Sequence, residues 1–476
     1  MTLATVSPLS SLQTAQFRLA RHYLNKLRTA DTAYRHGQSS IAYGSALFDL
    51  EWEQIQHWQA WAAQQRGSDQ ASAQLCEEFS LAGLEVLSNR RSAADHAVWL
   101  KAALESAQQL DDGAAACTLY YELAMIYYRL GTLYEMERLA QQLLKLGEAA
   151  NDSLSVGRAY LLLGVFADER GRYDEAEAFY QRALELSVEI DSDEVTVRAL
   201  NGLGAVAFYR GEYEKAYHYL SRQLDLMEAT GNKSKICHAL IAMGRILIAQ
   251  KAYDRAEECL LRAVNMCRLL GFRRLLGVGL LNLGALELQR NQLEAARSHL
   301  EEGMEVVRST NTQRQVIRGL TLLGDTYARQ GHLPEALAKL QEGMALARDA
   351  GLPRHLCDLQ YTLTTVYLAL NDLEAARTAL YETLKLAHEI DSYSQQVDAL
   401  ACAITYFQRI GFSETAAVWA GSLVDEPMLD QSRLTPVFKE IEASLGSEAY
   451  QRALAQGRAR SVVDAVSEVL ALMNAA

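Results

Sequence analysis

Proline is scarce in this sequence and unevenly placed. The 476 residues include five prolines, and none lies between Pro8 and Pro334. Because proline breaks the interior of a helix, so long a stretch without it predicts nearly continuous helical structure with very short turns. The commonest residues, among them alanine, leucine, glutamate and arginine, are good helix formers. The sequence therefore predicts an all-α fold.

Paired cysteines and long apolar runs are also missing. The seven cysteines are scattered, and none belongs to a C-x-x-C pair. An odd, dispersed set is typical of small buried side chains in a reducing compartment and not of a disulfide framework. No basic start leads into an apolar run at the N-terminus, and no apolar run approaches the length of a membrane span. We therefore expect a cytoplasmic protein without a membrane partner.

Positive charge is in deficit. Lysine and arginine number 46 against 59 aspartates and glutamates, which gives a formal net charge of −13. Non-specific nucleic-acid binding requires a surplus of lysine and arginine, so we expect no direct nucleic-acid partner. The sequence also contains no phosphate-binding loop, no G-x-S-x-G elbow and no H-E-x-x-H zinc motif. We therefore expect no cofactor, no metal site and no enzymatic activity.

What the sequence does contain is a repeat of 40 residues. A glycine recurs at this spacing, at Gly164, Gly204, Gly244, Gly284 and Gly324. An alanine twelve positions later keeps the spacing, at Ala176, Ala216, Ala256, Ala296, Ala336, Ala376 and Ala416. A turn residue lies between the two, at Gly171, Gly211, Lys251, Asn291, Gly331, Asn371 and Gly411.

Helix physics explains this pattern. Each unit has two stretches with apolar residues at helical spacing. The turn residue between them ends the first helix in the left-handed conformation, which glycine and asparagine adopt at low cost. Glycine and alanine at fixed places let the two helices cross closely. Because one helix pair cannot bury its own apolar face, pairs must stack on their neighbours, and this is why the unit recurs.

The units resemble the tetratricopeptide repeat. The segment "LLGVFADERGRYDEAEAFYQRAL", residues 162–184, matches that consensus at Leu163, Gly164, Gly171, Tyr173, Ala176, Tyr180 and Ala183. The period is longer than the usual one of about 34 residues, and the proline near the end of the usual unit is missing. Forty-residue versions resemble those of scaffold proteins and of the helical sensor domains of bacterial NB-ARC/STAND-type ATPase regulators. The resemblance implies an α-solenoid of antiparallel helix pairs that forms a right-handed superhelix.

The chain divides into four predicted regions. Residues 1–75 form an N-terminal helical cap, and residues 76–116 form a degenerate repeat similar to the tetratricopeptide repeat. Residues 117–424 form an array of about eight such repeats, and residues 425–476 form a C-terminal helical cap. Three of the five tryptophans, Trp52, Trp58 and Trp61, lie in the N-terminal cap. They either seal the open end of the first repeat or form a surface on which a partner docks.

The C-terminal cap carries two further signals. Pro427 and Pro436 bracket a predicted loop. Gly457, Arg458 and Ala459 precede a final amphipathic helix. This arrangement resembles the closing segment of helical domains that follow NB-ARC-type ATPase modules.

The repeat family also indicates where a partner would bind, because the first helix of each unit lines a concave groove. The resemblance implies that the residues facing the groove are Tyr121, Arg158, Arg198, Asn201, Phe208, His238, Arg245, Asn282, Arg318, Asp325 and Tyr361. Arginine, histidine and aromatic residues occupy the early and middle groove, and aspartate follows later. This pattern favours an extended or helical peptide whose carboxylates reach arginine. The alternative is that these polar side chains are solvated or are paired between neighbouring repeats.

We therefore expect a non-catalytic scaffold that binds a protein or peptide. The chaperone-binding type of carboxylate clamp is not expected, because Val165 and Ala205 stand where that clamp requires asparagine. The alternative is a regulatory domain that senses a small molecule or peptide in a bacterial signalling or transcription system. In either case we expect a monomer or a weak homodimer.

Overall fold

The computed structural model describes residues 11–35, 38–310, 312–426 and 431–475. Within these residues the chain forms 24 α-helices and no strand. The first five are α1 (Ser11–Arg35), α2 (Gln38–Gln65), α3 (Gln70–Ala82), α4 (Leu84–Arg90) and α5 (Ala93–Leu110). The last three, at the C-terminal end, are α22 (Gln431–Leu445), α23 (Ser447–Arg458) and α24 (Val462–Ala475).

Between these ends lie eight antiparallel helix pairs. The first four are α6 (Gly113–Leu130) with α7 (Leu133–Ala150), α8 (Ser153–Glu169) with α9 (Tyr173–Glu189), α10 (Asp193–Tyr209) with α11 (Tyr213–Thr230), and α12 (Lys233–Ala249) with α13 (Tyr253–Leu270). The other four are α14 (Arg273–Gln289) with α15 (Leu293–Ser309), α16 (Gln313–Arg329) with α17 (Leu333–Asp349), α18 (Pro353–Ala369) with α19 (Leu373–Glu389), and α20 (Tyr393–Arg409) with α21 (Ser413–Gly421). The all-α solenoid of stacked helix pairs is therefore confirmed.

The turn residues and the small residues behave as the repeat predicts. All seven predicted turn residues have positive φ, including Lys251 at 57° and Asn291 at 57°. The seven recurring alanines are fully buried. A Cβ added to Gly284 would lie 2.5 Å from Leu300 Cγ, so only glycine lets α14 and α15 approach this closely.

The array curves so strongly that successive turns of its superhelix touch. The first helix of each pair packs against the first helix of the next pair, which places these helices on the inside of the curve. Contacts also join α4 to α14 and α6 to α16, which lie about five repeats apart along the chain. Gly171 abuts Ile390 at the same separation. One superhelical turn therefore takes about five repeats, and successive turns rest on each other.

The N-terminal helices continue this stacking. Asp31 of α1 accepts hydrogen bonds from the backbone N–H groups of Glu85 and Val86, both at 2.9 Å, and so caps the start of α4. Trp52 of α2 stacks on Trp99 of α5 with ring centroids 5.6 Å apart. These contacts bind the α1–α2 hairpin to the helices that lead into the array.

The C-terminal end differs from one expectation. Pro436 lies inside α22, so the predicted loop is wrong at this end, while Pro427 lies outside the described residues. Pro436 is in the second turn of a helix that starts at Gln431, close enough to its N-terminus to remove few backbone hydrogen bonds. Gly457 packs directly on Gly421, which lets α23 cross α21 without side chains between them.

Candidate functional site

We use the term inner wall for the side chains that the first helices, α6 to α20, direct to the inside of the superhelix. Of the eleven predicted groove residues, the structure leaves eight partly exposed, at Arg158, Arg198, Asn201, Phe208, Arg245, Arg318, Asp325 and Tyr361. His238 is exposed. Tyr121 and Asn282 are fully buried and therefore lie beneath the surface of the wall.

The two buried residues support the exposed ones. The ring of Tyr121 lies beneath two guanidinium groups, 5.0 Å from Arg158 Cζ and 5.4 Å from Arg198 Cζ. Asn282 Nδ2 donates to the carbonyl of Val278 at 2.8 Å, and its Oδ1 accepts from Arg318 Nη2 at 2.9 Å. Both residues therefore hold arginines of the inner wall in place.

Part of the inner wall is neutralised between neighbouring repeats. Arg158 Nη2 donates to Glu194 Oε2 at 2.6 Å. Burial alone would lower the pKa of Arg158, but the hydrogen bond and charge of Glu194 outweigh it and raise that pKa. Glu194 also lies 4.0 Å from Arg198 Nε, so its one carboxylate serves two arginines. Pairing between repeats, the alternative that the sequence left open, thus occurs at this end of the wall.

Three arginines in the middle of the wall form no ion pair among the described residues, although Glu85 acts electrostatically on Arg274 and Asp358 acts on Arg318. We call Arg245, Arg274 and Arg318 the arginine cluster. Among the described residues none of the three has a carboxylate oxygen within 4.0 Å. Arg245 instead lies over the ring of Phe208, 5.1 Å from its centroid.

The pKa values of His238 and Arg318 reflect the charges of neighbouring arginines. The protein around His238 disfavours its charged form, and Arg274, Arg198 and Arg245 add to this effect, so the pKa of His238 falls to about 4. Burial, followed by the charge of Arg245, lowers the pKa of Arg318 to about 10. The imidazole is therefore neutral at pH 7, and Arg245 and Arg318 repel each other.

The wall gains carboxylates toward its C-terminal end. Asp325 and Tyr361 line a cavity of about 410 Å³ that lies between the first helices and α22. Asp398 and Glu440 add carboxylates to its lining. Burial raises the pKa of Asp325 above its ordinary value. Arg329, which pairs with Asp325 at 3.2 Å, and Arg409 line the same cavity, so its charge is mixed.

A second ionic group joins two turns of the superhelix, and we call it the inter-turn cluster. Arg354 Nη1 lies 3.1 Å from Asp168 Oδ1, and its Nη2 lies 2.9 Å from Glu169 Oε1. Arg314 also pairs with Glu169. Burial opposes the ionisation of Glu169, but Arg314 and Arg354 outweigh it and hold its pKa at about 2.

Sequence reasoning missed Arg274, Arg314 and Arg354. All three occupy the same place in successive repeats, one helical turn before predicted groove positions such as Arg318. Their 40-residue spacing is the signal that could have found them. Which arginine joins the inner wall and which joins the inter-turn cluster depends on the superhelical turn, and the spacing alone does not contain that information.

The family comparison agrees with this geometry. The tetratricopeptide repeat model matches residues 114–187, 195–269, 236–309 and 275–349. The chain carries tetratricopeptide repeats. All three members of the arginine cluster lie within the matched tetratricopeptide repeats.

Two solved structures resemble the chain in fold, and a third matches it less closely. A Rap protein complexed with Competence and Sporulation Factor has a TM-score of 0.56 at 15% identity, over 77% of this chain and 99% of that one. The Rap conjugation gene regulator of plasmid pLS20, in complex with the Phr* peptide, has a TM-score of 0.50 at 13% identity, over 76% and 98%. A STAND ATPase with a tetratricopeptide repeat sensor, from Pyrococcus horikoshii, has a TM-score of 0.45 at 16% identity, over 77% and 55%. No curated protein matches the sequence.

Two features are absent from the described part of the tetratricopeptide array and its caps. No helix there has the length and apolar character needed to cross a membrane. No three histidine, cysteine, aspartate or glutamate side chains there come together in a way that could hold a metal ion.

Proposed function

We propose that the protein is a non-catalytic scaffold that binds a peptide along its inner wall, with a carboxylate of the peptide held by the arginine cluster. The observation that carries this proposal is the arginine cluster itself. Its three guanidinium groups lie on consecutive first helices without a carboxylate oxygen within 4.0 Å among the described residues, and two of them, Arg245 and Arg274, lower the pKa of His238. A bound carboxylate would relieve their mutual repulsion and form charge-assisted hydrogen bonds with them.

The arrangement along the wall favours a peptide over a small inorganic anion. Phe208 and Tyr209 lie beside Arg245, so apolar and aromatic side chains have contacts close to the charged group. The cavity beneath α22, whose lining includes Asp398 and Glu440, provides a second polar site for a basic side chain or an N-terminal amine. The Rap conjugation gene regulator, which has a similar fold, was solved in complex with the Phr* peptide. Repeat arrays commonly use such long concave surfaces for binding.

A peptide library tests this proposal. The intact protein is screened against random hexapeptides with free C-termini, and the tightest binder is then remeasured with its C-terminus amidated and its acidic residues changed to amides. We expect Arg245→Gln combined with Arg274→Gln to weaken binding at least tenfold. Removal of the responsible carboxylate from the peptide should weaken binding to a similar extent.

The control removes two arginines from the outside of the array. Arg268 and Arg308 lie on second helices and pair with Glu302 and Glu342 at 2.8 and 2.6 Å, with about half of each arginine side chain exposed. Arg268→Gln with Arg308→Gln should leave peptide binding unchanged. Equal binding by both double variants, or a library without a binder, would refute the assignment.

A second candidate function is a small-molecule sensor, and the cavity beneath α22 favours it. Its volume of about 410 Å³ lies in the range of pockets that hold small organic ligands. The cavity combines Tyr361 and Leu434 with three carboxylates and two arginines, and this excess of carboxylates favours a cationic amphipathic molecule. Thermal shift against a panel of small amines separates the two candidates. A rise in melting temperature that Thr405→Phe abolishes would favour the sensor.

The remaining expectations from the sequence belong to the same proposal. We propose that the protein works without nucleic acid, without a membrane partner and in the cytoplasm. We also propose that it is a monomer or a weak homodimer. Light scattering at micromolar concentration, with and without the selected peptide, measures the oligomeric state.

A further inference from the structure

A small cavity in the N-terminal region lies apart from the inner wall. Its volume is about 120 Å³, and it lies between α2, the end of α4 and the first turn of α5. Its lining includes Trp52, Gln56, Arg91, Asp95, His96 and Trp99. None of these residues belongs to the eight helix pairs, so the cavity has no part in the peptide-binding proposal.

Arg91 brings a positive charge to this cavity. Its guanidinium lies over Trp52, with Cζ 3.6 Å from the ring centroid, and 5.3 Å from the ring of Phe48. Its Nε is buried and has no hydrogen-bond partner within the described chain. Burial lowers the pKa of Arg91, which shows that the guanidinium is partly removed from water. The aromatic faces hold the cation, while its Nε–H lacks an acceptor.

His96 is the second observation. Its side chain is 2% exposed, and neither ring nitrogen has a hydrogen-bond partner among the described residues. Burial and the charge of Arg129 lower the pKa of His96 to about 3, so the ring is neutral at pH 7. A neutral imidazole has one N–H donor and one acceptor, and both are costly to bury without partners. A cavity that contains such a group suits a polar occupant.

We propose that this cavity binds a small carboxylate-bearing molecule. The carboxylate would accept hydrogen bonds from the Arg91 guanidinium and from an N–H of His96. The few carbon atoms of the molecule would contact Trp52 and Trp99. The volume is close to that of an engineered cavity that holds benzene, about 150 Å³, so the occupant has only a few non-hydrogen atoms.

Asp95 narrows the choice of molecule. It is solvent-exposed, and its Oδ2 accepts from Ser92 Oγ at 2.7 Å. Its negative charge at the mouth opposes a simple anion but favours an ammonium group beside the carboxylate. A small zwitterionic amino acid such as glycine therefore fits the lining better than acetate, and the two probes distinguish these cases.

The five tryptophans provide the measurement. The intact protein is labelled with ¹⁵N at the indole nitrogens and titrated with sodium acetate, glycine, sodium phosphate or sodium chloride at equal ionic strength. We expect the Trp52 and Trp99 indole signals to shift saturably with glycine, and more weakly with acetate. The signals of Trp58, Trp61 and Trp419 should remain in place.

Variants decide whether the shift reports this site. Arg91→Gln should weaken the response at least tenfold. Gln56→Phe changes an exposed residue at the mouth, so it should fold normally and block entry even if Arg91→Gln does not fold. Arg28→Gln removes an exposed arginine of the same region, which pairs with Glu78 at 2.7 Å, and should change nothing.

Each outcome bears on the proposal. Saturable shifts with glycine or acetate that Gln56→Phe abolishes would support it. Shifts with phosphate alone would show that the cavity binds a different anion and would overturn the proposal. Shifts that do not saturate, that chloride reproduces, or that survive Gln56→Phe would show that only water fills the cavity.

Discussion

Arg354→Met tests whether the inter-turn cluster holds successive superhelical turns together. The Arg354 side chain is 4% exposed and contacts both Asp168 and Glu169, whose side chains are 9% and 1% exposed. Methionine roughly preserves the volume but leaves the buried Asp168 carboxylate without its guanidinium partner. Loss of one member of a buried ion pair typically costs about 3–5 kcal/mol, because the other charge remains buried. Glu169 keeps Arg314, so we expect a cost toward the lower end of that range.

Native-state hydrogen exchange is the appropriate assay, because long repeat arrays do not always unfold in a single step. We expect the opening free energy of amides in α8 and α18 to fall by about 3 kcal/mol. The matched control is Arg308→Met, which removes an exposed pair with Glu342 and should cost less than about 1 kcal/mol. Adding Asp168→Asn to Arg354→Met should recover part of the loss, since the stranded charge disappears. A change in α8 and α18 no larger than that of the control would refute this reasoning.

Two further predictions concern packing and pH. Gly284→Ala should destabilise the protein by about 1–3 kcal/mol, because the new Cβ would meet Leu300. Gly113→Ala, whose Cβ would enter open space, should be neutral or stabilising. Urea denaturation of both variants measures the difference. Burial raises the pKa of Glu77 to about 7, so the wild type should lose stability as pH rises from about 4.5 to 7. Glu77→Gln removes this loss and should raise the melting temperature at pH 8 but have little effect at pH 4.5; equal shifts at both values would contradict the assignment.

The repeat itself was predictable because it depends on local rules. A left-handed residue that ends each helix and a small residue at each close crossing recur in the sequence at a fixed interval. Lys251 adopts the left-handed conformation without being glycine or asparagine, and its place in the repeat was enough to predict the turn. The register of each helix pair therefore follows from spacing alone.

The details of the inner wall depend on the superhelix. Tyr121 and Asn282 occupy positions that face the groove in the general pattern, yet the close packing of the first helices covers them. Arg354 meets Asp168 because one turn closes after about five repeats, and a small change in rotation per repeat would separate them. No property of an isolated repeat determines that rotation, so the sequence pattern could not predict this contact.

Photocrosslinking tests most directly whether the inner wall binds a peptide through the arginine cluster. The tightest peptide from the library would carry a benzophenone next to its essential carboxylate, and the crosslinked residues would be mapped by mass spectrometry. We predict crosslinks in the first helices α12, α14 and α16, near Arg245, Arg274 and Arg318. Crosslinks confined to the second helices, on the outside of the array, would contradict the account.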